Sequence, residues 1–262
     1  MPRKKHLQKV ERETTALEVS AAPKAGRGAP KATPPPYDPL DLRTLAESMV
    51  KVVLEQPVHK LGSLDPFEGS GIYVLYYTGE FTPYRPIAQK NRGNRWQQPI
   101  YVGEATRKGG RKGGVLAEGP PGKAIFERLG NHADSIRSAS TLGLEDFWCR
   151  YLVLKDFFIP LCESLLIDRY NPIWNKLIDG FGNKALGGPR ASKQQKSMWD
   201  VIHPGRPGAA FSSHKKYPDE KSVVRAVEKF FAGEPVPLIS TDRAVEIAEN
   251  AGKPEPEDDD SD

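Results

Sequence analysis

The chain carries, in this order, a phenol, a second phenol, a guanidinium with an imidazole one helical turn later, a carboxylate and a side-chain amide: Tyr73, Tyr101, Arg128, His132, Glu163 and Asn175. Such a set suits phosphodiester hydrolysis. The anionic oxygens of that bond repel a nucleophile, so cleavage needs charge neutralisation, an activated water and a stabilised leaving group. Arg128 offers a permanent charge and a planar fork for a phosphate oxygen. Glu163 is a hard oxygen ligand, and a single carboxylate holding a largely hydrated Mg²⁺ fits phosphate chemistry. Tyr73 is the candidate general base, or the relay to one. An ordinary phenol pKa of about 10 makes it a poor base at neutral pH, so Arg128 and the metal would have to favour the phenolate while His132 accepts its proton. Whether Tyr73 or His132 takes the proton from water stays open on the residues alone. Tyr101 would position Tyr73, the water or the phosphate. Asn175 would position the metal-bearing helix or bind a phosphate oxygen. Taken singly, a tyrosine in a strand is usually packing, as Tyr76 and Tyr77 illustrate; packing does not explain the charged partners.

These side chains meet only if secondary structure gathers them. Residues 71–78 and 99–104 are apolar, β-prone runs holding Tyr73 and Tyr101, and residues 147–154 make a third. Ala124, Ile125, Phe126, Leu129 and Ile136 recur at helical spacing, which predicts a helix over 123–137 with Arg128 and His132 on a shared face. Pro160 opens another helix, with Leu161, Leu165 and Leu166 inward and Glu163 among them, and it stops before Asn171-Pro172. The order is ββαβα. The expected fold class is α+β: a small three-stranded mixed or antiparallel sheet flanked by helices. An earlier helix begins near Asp38-Pro39 and buries Leu42, Leu45, Met49, Val52 and Val53, and a late one spans 219–231.

The expected domain plan has five parts: a disordered basic, Pro-rich tail over 1–36; a helix and linker over 37–70; a catalytic domain over 71–183 with inserted basic loops; a DNA-contacting, helical extension over 184–235; and an acidic tail over 236–262. Net charge is +4, but the carboxylates clustered after Pro254 mask a far more basic body. Between Arg85 and Lys123, basic residues greatly outnumber Glu104 and Glu118, which points to a polyanionic partner. Arg92, Arg95, Arg107, Lys108, Arg111 and Lys112 are the candidate DNA contacts there, with Arg190, Lys193 and Arg206 in the later segment. Both segments also hold Gln and Asn, so base edges are within their chemistry. His203 and His214 read as surface or DNA-contacting residues. Cys149 and Cys162 form no C-x-x-C pair, which argues against a zinc site or a disulfide framework. No apolar run is long enough to span a bilayer and no signal segment follows the basic N-terminus, so the expected setting is cytoplasmic, with no membrane partner.

Gly71-Ile72-Tyr73 and Tyr101-Val102-Gly103 resemble the two signature strands of the GIY-YIG nucleases. Arg128, His132, Glu163 and Asn175 resemble that family's remaining motifs, and the imidazole one turn after the arginine is most similar to its type II restriction endonuclease branch. The likeness covers residues 71–176. Val102 departs from the signature isoleucine, and the basic insertion over 107–122 is long. The resemblance implies cleavage of both strands of duplex DNA at a GC-rich palindrome, with Mg²⁺ and Mn²⁺ as a substitute, leaving 5′-phosphate and 3′-hydroxyl ends. It also implies a bacterial setting and a cognate DNA methyltransferase. Two-fold symmetry of the target favours a homodimer. The rival readings are a structure-specific or mobile-element nuclease on the same core, and a DNA-binding protein without catalysis. The first usually attaches a zinc or helix-turn-helix module, which is not evident; the second leaves Glu163, an anion beside a polyanion, without purpose.

Overall fold

The computed structural model describes residues 41–107, 122–182, 197–206 and 219–237, all within one folded unit, Leu40–Asp262. In chain order the elements are α1 (Leu42–Glu55), β1 (His59–Lys60), β2 (Gly71–Tyr77), α2 (Arg85–Asn91), β3 (Tyr101–Ala105), α3 (Ala124–Ser138), β4 (Phe147–Val153), α4 (Ile159–Tyr170), the single turn α5 (Ile173–Lys176), α6 (Met198–Ile202) and α7 (Glu220–Ala232). The sheet has four antiparallel strands in the order β1-β4-β2-β3.

The α+β expectation holds, with two additions. The edge strand β1 pairs His59 with Cys149 and Lys60 with Trp148; two residues carry no alternation, so no pattern announces it. Helix α2 lies in the basic insertion between the first two expected strands. Pro86 sits in its first turn, where the missing N–H costs nothing, and the helix buries Ile87, Ala88 and Asn91.

Strand β2 is central and buried along its whole length. Sheet faces alternate along a strand, and here both are covered. Tyr73, Leu75 and Tyr77 join the core built with α3, whereas Ile72, Val74 and Tyr76 join a second core with Met49, Val50 and Val53 of α1 and Ile159, Cys162 and Leu166 of α4. That is why the strand reads as an unbroken apolar run. In α1 the inward position is Val50, and Val52 is 40% exposed, contrary to its expected place in the stripe. In α4 the fully buried face is Ile159, Cys162 and Leu166; Leu161 and Leu165 lie on the flank, half-buried.

Asn171 ends α4 in the left-handed region (φ 43°), its N–H bonding the Ile167 carbonyl. Asp219 caps α7 by accepting from the Ser222 N–H at 2.7 Å, an interaction worth about 1 kcal/mol. Trp199 and Ile202 of α6 and Val223 and Val227 of α7 are buried in the α3-side core. His203, read from sequence as a surface or DNA-contacting residue, is fully buried there instead, bonded to the Tyr84 hydroxyl (2.8 Å) and to Thr141 (2.6 Å).

Candidate active site

Tyr73 stands opposite Gly103 in the β2–β3 register, and Tyr101 stands opposite Leu75. A β-carbon at Gly103 would lie 2.6 Å from Tyr73 Cζ and 2.8 Å from Tyr101 Cε1. The glycine therefore lets the Tyr73 ring lie across β3 toward its open edge. The two rings occupy one face, 6.2 Å apart between centroids, a diagonal cross-strand pair.

Helix α3 supplies the next two groups. Ile125, Leu129, His132, Ala133 and Ile136 form its buried stripe, which places the imidazole in the core. The Tyr73 hydroxyl and His132 Nε2 are 2.6 Å apart, and both residues are essentially without exposure. One turn earlier, Arg128 is partly exposed and lies within hydrogen-bond reach of the Tyr73 and Tyr101 hydroxyls.

Burial dominates the proton chemistry. It raises the Tyr73 pKa well above its ordinary value, with Tyr101 adding to the rise; the opposing pull of Arg128 is smaller. The expectation that Arg128 favours the phenolate has the right sign, but desolvation outweighs it. Burial likewise pushes the His132 pKa down to about 3, and the Arg128 charge adds to the effect. His132 is thus neutral at physiological pH. With its proton on Nδ1, its Nε2 is free to accept from Tyr73.

Glu163 projects from α4, partly exposed, near enough to Tyr73 for its charge to oppose the phenolate. Among the described residues no group of three or more His, Cys, Asp or Glu is placed to hold a metal. The candidate donor is the hard carboxylate of Glu163, which fits a largely hydrated Mg²⁺ and not a zinc cage.

Asn175 does something the sequence did not suggest. Its Oδ1 accepts from the Val102 N–H at 2.8 Å and its Nδ2 donates to the Val102 carbonyl at 2.8 Å. The amide thus completes the outer edge of β3 as a neighbouring strand would, and both its polar atoms are engaged there, not with α4. Four sequence-predicted residues (Tyr73, Tyr101, Arg128 and His132) are drawn into one cluster, Glu163 adjoins it electrostatically, and Asn175 secures the strand beneath.

Sequence reading missed the turn Gly180-Phe181-Gly182. Phe181 stacks on His132 (4.6 Å between centroids, 17° between planes) and meets Tyr101 edge-on at 4.9 Å. Gly182, at φ 81°, comes so close that a β-carbon would lie 3.0 Å from His132 Cε1 and 3.3 Å from both Arg128 Nη2 and the Tyr101 hydroxyl. The glycines flanking a lone aromatic were the available signal.

Among the basic candidates, Arg92 donates to the Thr78 (3.0 Å) and Gly79 (2.8 Å) carbonyls and pairs with Glu80. Arg107 pairs with Asp156 at 3.0 Å, and Arg206 forks onto Asp200 at 2.9 and 2.7 Å. Arg95 is exposed between exposed Asn94 and Gln97, with its guanidinium on the Gln89 carbonyl. Lys108, Arg111, Lys112, Arg190 and Lys193, and His214, lie outside the described residues.

A small antiparallel sheet with a Tyr–Tyr pair on its central and edge strands β2 and β3, an Arg and His from the covering helix and a Glu from the opposite layer defines a GIY-YIG nuclease. The family model described as the Eco29kI GIY-YIG domain matches residues 65–231, well over half the chain. The chain belongs to this type II restriction endonuclease GIY-YIG family. The matched span starts before β2 and ends within α7, so α6 and most of α7 fall inside it. No curated protein matches the chain.

Proposed function

We propose that this DNA nuclease is a type II, site-specific restriction endonuclease that hydrolyses both strands of duplex DNA at a GC-rich palindrome. It leaves 5′-phosphate and 3′-hydroxyl ends, depends on Mg²⁺ and acts as a homodimer beside a cognate DNA methyltransferase. The observation that carries the reading is the 2.6 Å contact between the Tyr73 hydroxyl and a neutral, buried His132, with Arg128 and Glu163 at the exposed side of that pair.

Arg128 receives a non-bridging phosphate oxygen and offsets the charge that builds as water attacks phosphorus. The water oxygen forms the new P–O bond, its proton passes to Tyr73 and the Tyr73 proton to His132 Nε2, and the bond to the 3′ oxygen breaks, that oxygen taking a proton from solvent to leave as the 3′-hydroxyl. Held by Glu163, Mg²⁺ would supply Lewis-acid neutralisation of the phosphate and the leaving oxygen. Arrival of the anionic phosphate beside Arg128 cancels part of the positive field that disfavours imidazolium, so His132 gains basicity when substrate binds. Asn94, Arg95 and Gln97 offer donors and acceptors suited to base edges, and Arg107 with the neighbouring lysines and arginines suits the phosphate backbone.

The test uses Glu163→Ala and Tyr73→Phe in the full chain, read by cleavage of duplex DNA and separately by a binding assay. Glu163→Ala is expected to abolish Mg²⁺-dependent cleavage while DNA is still bound. Tyr73→Phe is expected to lower turnover by about a hundredfold or more. Cleavage retained without Glu163 would remove it from the metal role.

A further inference from the structure

We propose that Phe181 is a positioning residue of the Tyr73–His132 pair, its ring forming an apolar cover over the imidazole that the C-terminal segment latches in place. The inference rests on the relay reading above. The cover is built, not incidental: Phe181 lies nearly parallel to His132 and is itself backed by Trp174 (4.3 Å) and Trp199 (5.5 Å). Gly180, at φ 92°, packs so closely on Ser197 that any β-carbon would collide with it. The Gly180 carbonyl accepts from Arg206 Nη1 at 3.1 Å. Asp179 bonds the Met198 N–H through its side chain (2.7 Å) and the Trp199 N–H through its carbonyl (3.1 Å). Asp200 holds Arg206 from the other side and accepts from Ser197 Oγ at 2.6 Å. The turn is therefore tied along its length to residues 197–206.

The cover matters because of what it seals. His132 Nδ1 is buried with no hydrogen-bond partner among the described residues. The titratable groups facing the imidazole are Tyr73 from β2, Tyr101 from β3 and Arg128 from its own helix; the turn adds none. No anion stands against the ring, so an imidazolium would have only water to solvate it, and Phe181 keeps water out. A protonated His132 could not accept from Tyr73. Phe181 thus preserves the acceptor, which is a contribution to turnover and not only to packing.

The experiment compares wild type, Phe181→Ala and Phe181→Leu as full chains. The His132 imidazole is titrated by NMR, assigned against His132→Gln, alongside a pH profile of DNA cleavage. Phe181→Ala should raise the His132 midpoint from about 3 toward 6.5, so that cleavage at pH 5.5 falls about tenfold relative to pH 8 where wild type shows no such loss. Phe181→Leu, which still covers the ring, should keep the wild-type midpoint. An unchanged midpoint in folded Phe181→Ala, with activity lowered equally at all pH values, would overturn the proposal, as would failure of both variants to fold. A raised midpoint with an unchanged pH profile would support the cover and overturn the relay.

Discussion

A phenol that relays a proton must give up its own as it takes another, and the surroundings of Tyr73 resist any lasting charge on the oxygen. Desolvation raises its pKa far above the working range while the neighbouring imidazole is held down to about 3. Neither group is a base in isolation. Together, 2.6 Å apart, they can pass a proton without Tyr73 resting as a phenolate, the imidazole carrying the charge for the length of the step. The same burial has a cost in acid. His132 and His203 both have pKa values lowered to about 3 from an ordinary 6.5. Between those values the unfolded chain binds protons that the folded chain refuses, so stability is complete above pH 6.5 and falls as pH drops toward 3. Urea denaturation at pH 7, 5.5 and 4.5 should show a progressive loss of several kcal/mol; a flat profile would mean that the two imidazoles are solvated. The residue types in this cluster were legible in sequence because strand and helix spacing carry them. The balance between Arg128 and desolvation was not, since burial depth belongs to the folded chain.

At the scale of elements, β3 is the weak point of the sheet. It is an edge strand, yet it carries Tyr101 and Gly103. Asn175 supplies the missing edge partner from the turn that follows α4. Asn175→Ala would leave the Val102 N–H and carbonyl unpaired, and should cost about 2–4 kcal/mol with a loss of cleavage that tracks β3 order. The check is denaturant unfolding together with turnover; unchanged stability would return Asn175 to a substrate-binding role. Strands β2, β3 and β4 could be read from β-prone apolar runs, and helices α3, α4 and α7 from apolar residues recurring at helical spacing. Helix α2 was hidden by its shortness and by the polar residues around it, and β1 by having two residues. The edge role of Asn175 and the cover made by Phe181 depend on contacts between distant segments, which no local pattern encodes.

Across the whole molecule, the segments following the candidate site residues are not appendages. Trp199 and Val227 lie in the same core as Tyr73 and Leu129, and Arg206 reaches the turn that covers His132. Arg206, expected at the DNA surface, has its guanidinium engaged within the fold by Asp200 and Gly180. Among the described residues no helix is long and apolar enough to cross a membrane. The basic body behind an acidic terminus suits a partner as highly charged as duplex DNA. One measurement decides the proposed activity most directly: mixed-sequence duplex DNA incubated with the full chain and Mg²⁺ or EDTA, followed by sequencing of the ends. A site-specific restriction endonuclease gives discrete, Mg²⁺-dependent double-strand breaks that share one palindrome and carry 5′-phosphates. Cleavage confined to branched substrates, sequence-independent nicking or no cleavage at all would contradict that activity.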